Sequence, residues 1–114
     1  MTREELMELF REAAGEAPVP PLAAKWEGGM IQLLPGKSDL QGKEVPIDTF
    51  FHKVVMVRDR LRTLEQKLNA HPKLTDAEKV EMQHYITRIY GSLTTFNVLF
   101  RDKNDQFIGA KGDE

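Results

Sequence analysis

Glu81-Met82-Gln83-His84 is the stretch whose residue types and spacing come closest to a chemical site. A Glu and a His three residues apart share one face of a helix, the arrangement by which carboxylate-bridged di-metal bundles present oxygen and nitrogen ligands. Glu65 and Glu78 would supply further oxygens. The surrounding pattern opposes that use. Met82 and Ile86 carry an apolar seam on the same helix, so Glu81 and His84 point away from it, whereas bundle metal sites need inward-facing ligands. A carboxylate/His metal bundle is therefore a second alternative only, and no cofactor is expected.

The other reactive groups are scattered. His52 follows Phe51 near the start of a helix, and His71 directly precedes Pro72; neither has a serine or carboxylate at a spacing that identifies a triad. Gly28-Gly29 and Pro35-Gly36-Lys37-Ser38 lack the spacing of a phosphate-cradling loop. No catalytic residue is assigned, and the chain is not expected to be an enzyme.

Basic residues form a more regular set. Lys53, Arg60 and Lys67 recur every seven residues, with Arg58 and Arg62 beside them and only Asp59 and Glu65 interrupting the run. Such a helical face could neutralise several phosphates, which makes nucleic-acid binding the first alternative function. The chain as a whole offers no broad basic field, since its 114 residues carry a net charge of -2. Cysteine is absent, which excludes disulfides and thiolate chemistry. No apolar run is long enough to span a bilayer, and the opening Met-Thr-Arg-Glu-Glu lacks the apolar core of a signal peptide. The expectation is a cytoplasmic protein with no membrane association.

The elements that must position these groups are written in the apolar spacing. Ile47, Phe50, Val54, Val57, Leu61, Leu64 and Leu68, then Met82, Ile86, Ile89, Leu93, Phe96 and Phe100, recur alternately every three and four residues. This predicts helices over about 47–70 and 75–101. Pro72 stops the first, and Thr75 with Glu78 forms a capping box that starts the second. A connection this short makes them an antiparallel hairpin, with Phe50 level with Phe96, Leu64 with Met82, and Lys67 beside Glu78.

Before the hairpin, Thr2 and Glu5 form another capping box, opening an amphipathic helix over 1–16 whose Leu6, Leu9, Phe10 and Ala13 share a face and which ends at Gly15. Residues 17–45 read as a Pro/Gly-rich linker, extended through Pro18–Pro21, with a short extended or β segment near 25–34 around Gly28-Gly29 and a polar loop from Lys37 to Glu44. The hairpin occupies 46–101, and 102–114 lose periodicity and read as a flexible tail.

Two helices alone bury too little apolar surface to offset the ordering of their residues. Phe51, Val55 and Met56 on the first helix and Tyr90, Val98 and Leu99 on the second lie off the seam, and they are the predicted self-association surface. Gly91, Ser92 and Thr95 suggest a place where another backbone comes close. Trp26, Met30 and Ile31 are the candidate surface for an unidentified protein partner. The resulting expectation is a mainly α protein whose hairpins pair as a homodimer in a four-helix bundle. Its function is a non-enzymatic, homo-oligomerising protein-protein interaction module of adaptor, scaffold or regulatory type.

Overall fold

The computed structural model describes residues 2–13 and 19–109. The predicted helix end at Gly15, the start of the extended linker at Pro18 and the last five residues of the predicted tail lie outside them. In chain order come helix α1 (Arg3–Ala13), a 3-10 turn (Ala24–Trp26), strands β1 (Met30–Leu33) and β2 (Lys43–Pro46), helices α2 (Ile47–Asn69) and α3 (Asp76–Ser92), and 3-10 segments at Thr94–Leu99 and Lys103–Asp105.

The predicted helix starts are found where local chemistry set them. Thr75 Oγ1 accepts from the Glu78 amide at 3.1 Å and Glu78 Oε1 accepts from the Thr75 amide at 2.9 Å, closing the capping box of α3. Glu78 is thus engaged at its own helix start instead of with Lys67. The same reciprocal pair joins Thr2 and Glu5 at the head of α1. α2 begins without a side-chain cap, because Pro46 precedes it. The Ile47 amide is satisfied across the chain by the Gly29 carbonyl at 2.9 Å.

The polar stretch before α2 departs from the expected loop. Lys43–Pro46 forms β2, pairing antiparallel with β1 so that Ile31 faces Val45 and Met30 faces Pro46. Gly28-Gly29 is not the turn of this hairpin. Gly28, at φ +73°, bends the chain out of the Ala24–Trp26 turn and into β1, and the hairpin connection is the longer 34–42 segment. Lys43 and Glu44 gave no strand signal, because a short edge strand with polar side chains has the composition of a loop.

α3 ends at Ser92, nine residues before the predicted boundary near 101. Ser92 Oγ donates to the Arg88 carbonyl at 3.1 Å and Thr94 Oγ1 to the Gly91 carbonyl at 2.9 Å, so hydroxyls take up the last carbonyls and the backbone tightens into 3-10 geometry. Phe96 still meets Phe50, ring centroids 5.5 Å apart, as the predicted register requires.

The core has turned on the helices relative to the predicted seam. α2 buries Ile47, Phe51, Val54, Val55 and Arg58, and α3 buries Ile86 and Tyr90. Val57, Leu64, Met82 and Ile89, assigned to the seam by their heptad positions, remain exposed. The cause is the chain after α3. Phe100 packs edge-on against Phe51 at 5.2 Å between ring centroids and against Phe107 at 5.8 Å, and Phe107 reaches Tyr90 at 6.3 Å. This aromatic row draws the buried arc of both helices toward one edge of the hairpin.

The predicted loose tail is therefore corrected through Gly109. Phe107 is only 4% exposed, and Asn97 clamps its backbone, Oδ1 accepting from the Phe107 amide at 2.6 Å and Nδ2 donating to its carbonyl at 3.0 Å. On the other side of the same segment, the Ala23 amide donates to the Leu99 carbonyl at 2.8 Å and the Arg101 amide to the Pro21 carbonyl at 3.1 Å. The linker is thereby sewn to the end of the hairpin.

Candidate interaction surface

Four of the six residues predicted to mediate self-association are core residues of their own chain: Phe51, Val55, Tyr90 and Leu99 are each at most 9% exposed. Met56 is half-buried, and Val98 alone is exposed. The surplus of apolar surface was legible in the sequence, but its occupant at these positions is the chain's own tail and linker, so that surface as drawn is corrected.

What stays open is the displaced seam. Val57 and Leu64 on α2 and Met82 and Ile89 on α3, with Tyr85 beside them, are between 42% and 56% exposed. A helix advances about 100° per residue, so residues seven apart return to nearly the same side. Val57 and Leu64 thus lie along one edge of α2's buried row, and Met82 and Ile89 along one edge of α3's. In antiparallel neighbours these edges face the same way, with half-buried Leu61 and Leu68 between them. The tail covers the opposite edge, where Arg58, Arg62, Glu65, Thr87 and Tyr90 line a cleft of about 230 Å³ closed by Gln106–Ile108.

Exposed Lys53, Arg60 and Lys67 recur at the period of Val57 and Leu64 and border the open stripe on the α2 side. Arg62 is also exposed but lies at the cleft on the other edge. Arg58, proposed from sequence as a phosphate contact, is 5% exposed and corrected to a structural role. Its Nε donates to the Asp105 carbonyl at 2.9 Å and its Nη1 to Asp59 Oδ1 at 2.7 Å, with Asp105 Oδ1 3.7 Å from Nη2. Burial first, and then the neighbouring Arg62, lower its pKa, while the two aspartates work in the other direction. The guanidinium fastens the tail to α2.

Beside it Glu65 accepts from Gln83 Nε2 and, at 3.2 Å, from the Tyr90 hydroxyl. Burial, reinforced by the Glu65 charge, pushes the Tyr90 phenol up to about 12. Gln83 Oε1 is buried without a donor among the described residues. This network bridges α2 and α3, and it occupies the Glu65 that the metal alternative would have required. Glu81 and His84 are exposed, and Glu78 serves its cap. Among the described residues no cluster of three or more His, Asp or Glu side chains gathers into a metal site.

The predicted partner surface is divided. Trp26 is half-buried, its Nε1 donating to the Val98 carbonyl at 2.8 Å and its ring approached by Lys25 Nζ at 5.1 Å from the centroid. Ile31 packs against the core, and Met30 is exposed. Among the described residues no helix is long and apolar enough to cross a membrane.

The open stripe was missed because four of its five residues, Val57, Leu64, Met82 and Ile89, belong to the heptad seam, and a heptad seam is ordinarily the buried one. The signal that could have found it was the wide apolar arc: with Phe51, Val55 and Tyr90 competing for burial, one edge had to lose. No curated protein and no solved structure matches the chain. A family model described as a domain of unknown function (DUF8685) matches residues 16–106, which takes in both strands, α2, α3 and the tail as far as Gln106. The chain therefore belongs to the DUF8685 family of domains of unknown function.

Proposed function

We propose that this protein is a non-enzymatic protein-protein interaction module that self-associates through the open side of its helical hairpin. The observation that carries this reading is the stripe formed by Val57, Leu64, Met82, Tyr85 and Ile89, five large apolar side chains left about half exposed on two adjacent helices. Contiguous exposed apolar surface of this kind, bordered by charged residues, is characteristic of a surface that another protein covers. The rigid support beneath it favours recognition: the Phe51–Phe100–Phe107–Tyr90 row and the Arg58 and Glu65 contacts hold α2 and α3 in one relative position.

A second copy of the chain is the partner this surface fits, and a four-helix bundle of two hairpins is one way to cover it. Light scattering after size exclusion tests the reading. The expected mass is twice the 13.0 kDa of one chain, persisting into the low micromolar range. Leu64→Glu should return the mass to one chain while leaving the far-ultraviolet circular dichroism unchanged, because Leu64 contributes little to the core. A wild-type mass of one chain at every concentration would overturn the proposal.

A further inference from the structure

We infer that the stripe is filled by helix α1 of a second copy, so that two chains exchange their N-terminal helices. This rests on the self-association reading and specifies the element that performs it. Two observations converge on α1. The first is that, among the described residues, α1 and the α2/α3 stripe each present an exposed apolar face: Leu6 and Leu9, one turn apart on α1, are 47% and 48% exposed, and the stripe is equally open. Stacking stripe on stripe would close one kind of face and leave both copies of the other in water. Laying α1 on the stripe closes both.

Charge is the second observation. α1 opens with Glu4 and Glu5, and residues 3–13 hold four glutamates against two arginines. The border of the stripe on α2 is the exposed row Lys53, Arg60 and Lys67. Along its α2 border the stripe is the complement of an acidic amphipathic helix, although exposed Glu81 borders it on α3, and the like-charged α2 borders would disfavour stacking two α2 helices side by side. Length agrees as well. The 11 residues of α1 extend about 16 Å, enough to cover the roughly 10 Å rise between Val57 and Leu64.

The occupant is the second copy's helix because in the single chain α1 leaves its own stripe uncovered. Exchange of a terminal element between identical chains is a common route to a dimer.

Complementation between two full-length variants tests the inference. One variant carries Leu6→Glu and Leu9→Glu and has a damaged helix; the other carries Leu64→Glu and has a damaged stripe. Wild type is expected at twice the chain mass, each variant alone at the chain mass, and the equimolar mixture back at the dimer mass, because the intact helix of one meets the intact stripe of the other. Met82→Glu should reproduce the behaviour of Leu64→Glu, which guards against a folding defect peculiar to one substitution, and circular dichroism should show native helix content in all. If the helix variant keeps the wild-type dimer mass, the exchange is wrong while self-association stands, with hairpins paired directly. If both variants are monomeric and the mixture stays so, α1 does not act between chains and the inference falls. A monomeric wild type would remove both readings.

Discussion

Gly109 lies directly against the backbone of Gly91, in such close approach that a Cβ at position 109 would overlap the Gly91 amide nitrogen and sit 2.6 Å from the Thr87 carbonyl oxygen. The tail and α3 meet backbone to backbone there, which leaves no room for a side chain at position 109. Gly109→Ala should push the tail off α3 and cost about 1–3 kcal/mol, in line with overpacking. Chemical denaturation checks this, with Gly36→Ala, where nothing lies within 4 Å, as the nearly silent control.

Asn97 substitutes for a strand at Phe107, offering one acceptor and one donor to a single residue's backbone. Asn97→Ala leaves both groups without their partner and should destabilise by roughly 2–4 kcal/mol, at about 1–2 kcal/mol per group. Asn97→Asp keeps the acceptor and loses the donor, so it should fall between wild type and Ala. Hydrogen exchange at the Phe107 amide separates the cases, with protection lost in the Ala variant and retained in part by the Asp variant.

Arg58 holds Asp105 to α2 from a buried position. Arg58→Ala removes both the packing of the aliphatic stem and the hydrogen bonds, at a cost of about 2–4 kcal/mol. Arg58→Met keeps most of the volume and carries no charge to desolvate, so it should recover at least half of that loss. Urea unfolding of the two variants gives the comparison. Equal stabilities would mean that the hydrogen bonds to Asp59 and Asp105 decide the effect and packing does not.

Tyr90 makes stability fall at high pH. Its phenol ionises near 10 in the unfolded chain and at about 12 in the folded one. Between those values the unfolded state loses a proton that the folded state keeps, so folding stability is complete below pH 10 and declines as pH rises toward 12. Tyr90→Phe removes this dependence, along with the hydrogen bond to Glu65. Midpoints of urea unfolding at pH 9 and pH 11 should differ more for wild type than for Tyr90→Phe, and equal differences would refute the assignment.

Removing Thr75 Oγ1 tests the start of α3 independently of the core. Thr75→Ala should cost about 1 kcal/mol, the usual worth of an N-cap. The paired Glu78 carboxylate has its pKa lowered by its hydrogen bonds with Thr75, the one to the backbone first. Its contribution is therefore present above the ordinary glutamate pKa and fades as the pH falls through the lowered folded value. Thermal melts at pH 7 and in the acid range should show wild type losing this contribution with acidification and Glu78→Gln losing less.

Local signals were legible in the residues themselves. The two capping boxes, the break at Pro72, the first hairpin helix, expected over about 47–70 and found at Ile47–Asn69, and the meeting of Phe50 with Phe96 all follow from spacing and from interactions within a few residues or across a short turn. The amount of apolar surface in excess of a two-helix seam was equally readable, because it is a count of side chains on a helical arc. Which of those side chains are buried was decided only by tertiary structure. Phe107 and Gly109 lie in a stretch without periodicity, and their value depends on Asn97, Tyr90 and Gly91, which reach them through folding of the chain back on itself. That return turned the buried arc, converted Arg58 from a surface charge into an internal clasp, and left the seam residues Val57, Leu64, Met82 and Ile89 in solvent. A periodic pattern specifies that a helix has an apolar side, but a wide apolar arc admits several rotations, and only the competing neighbours choose among them.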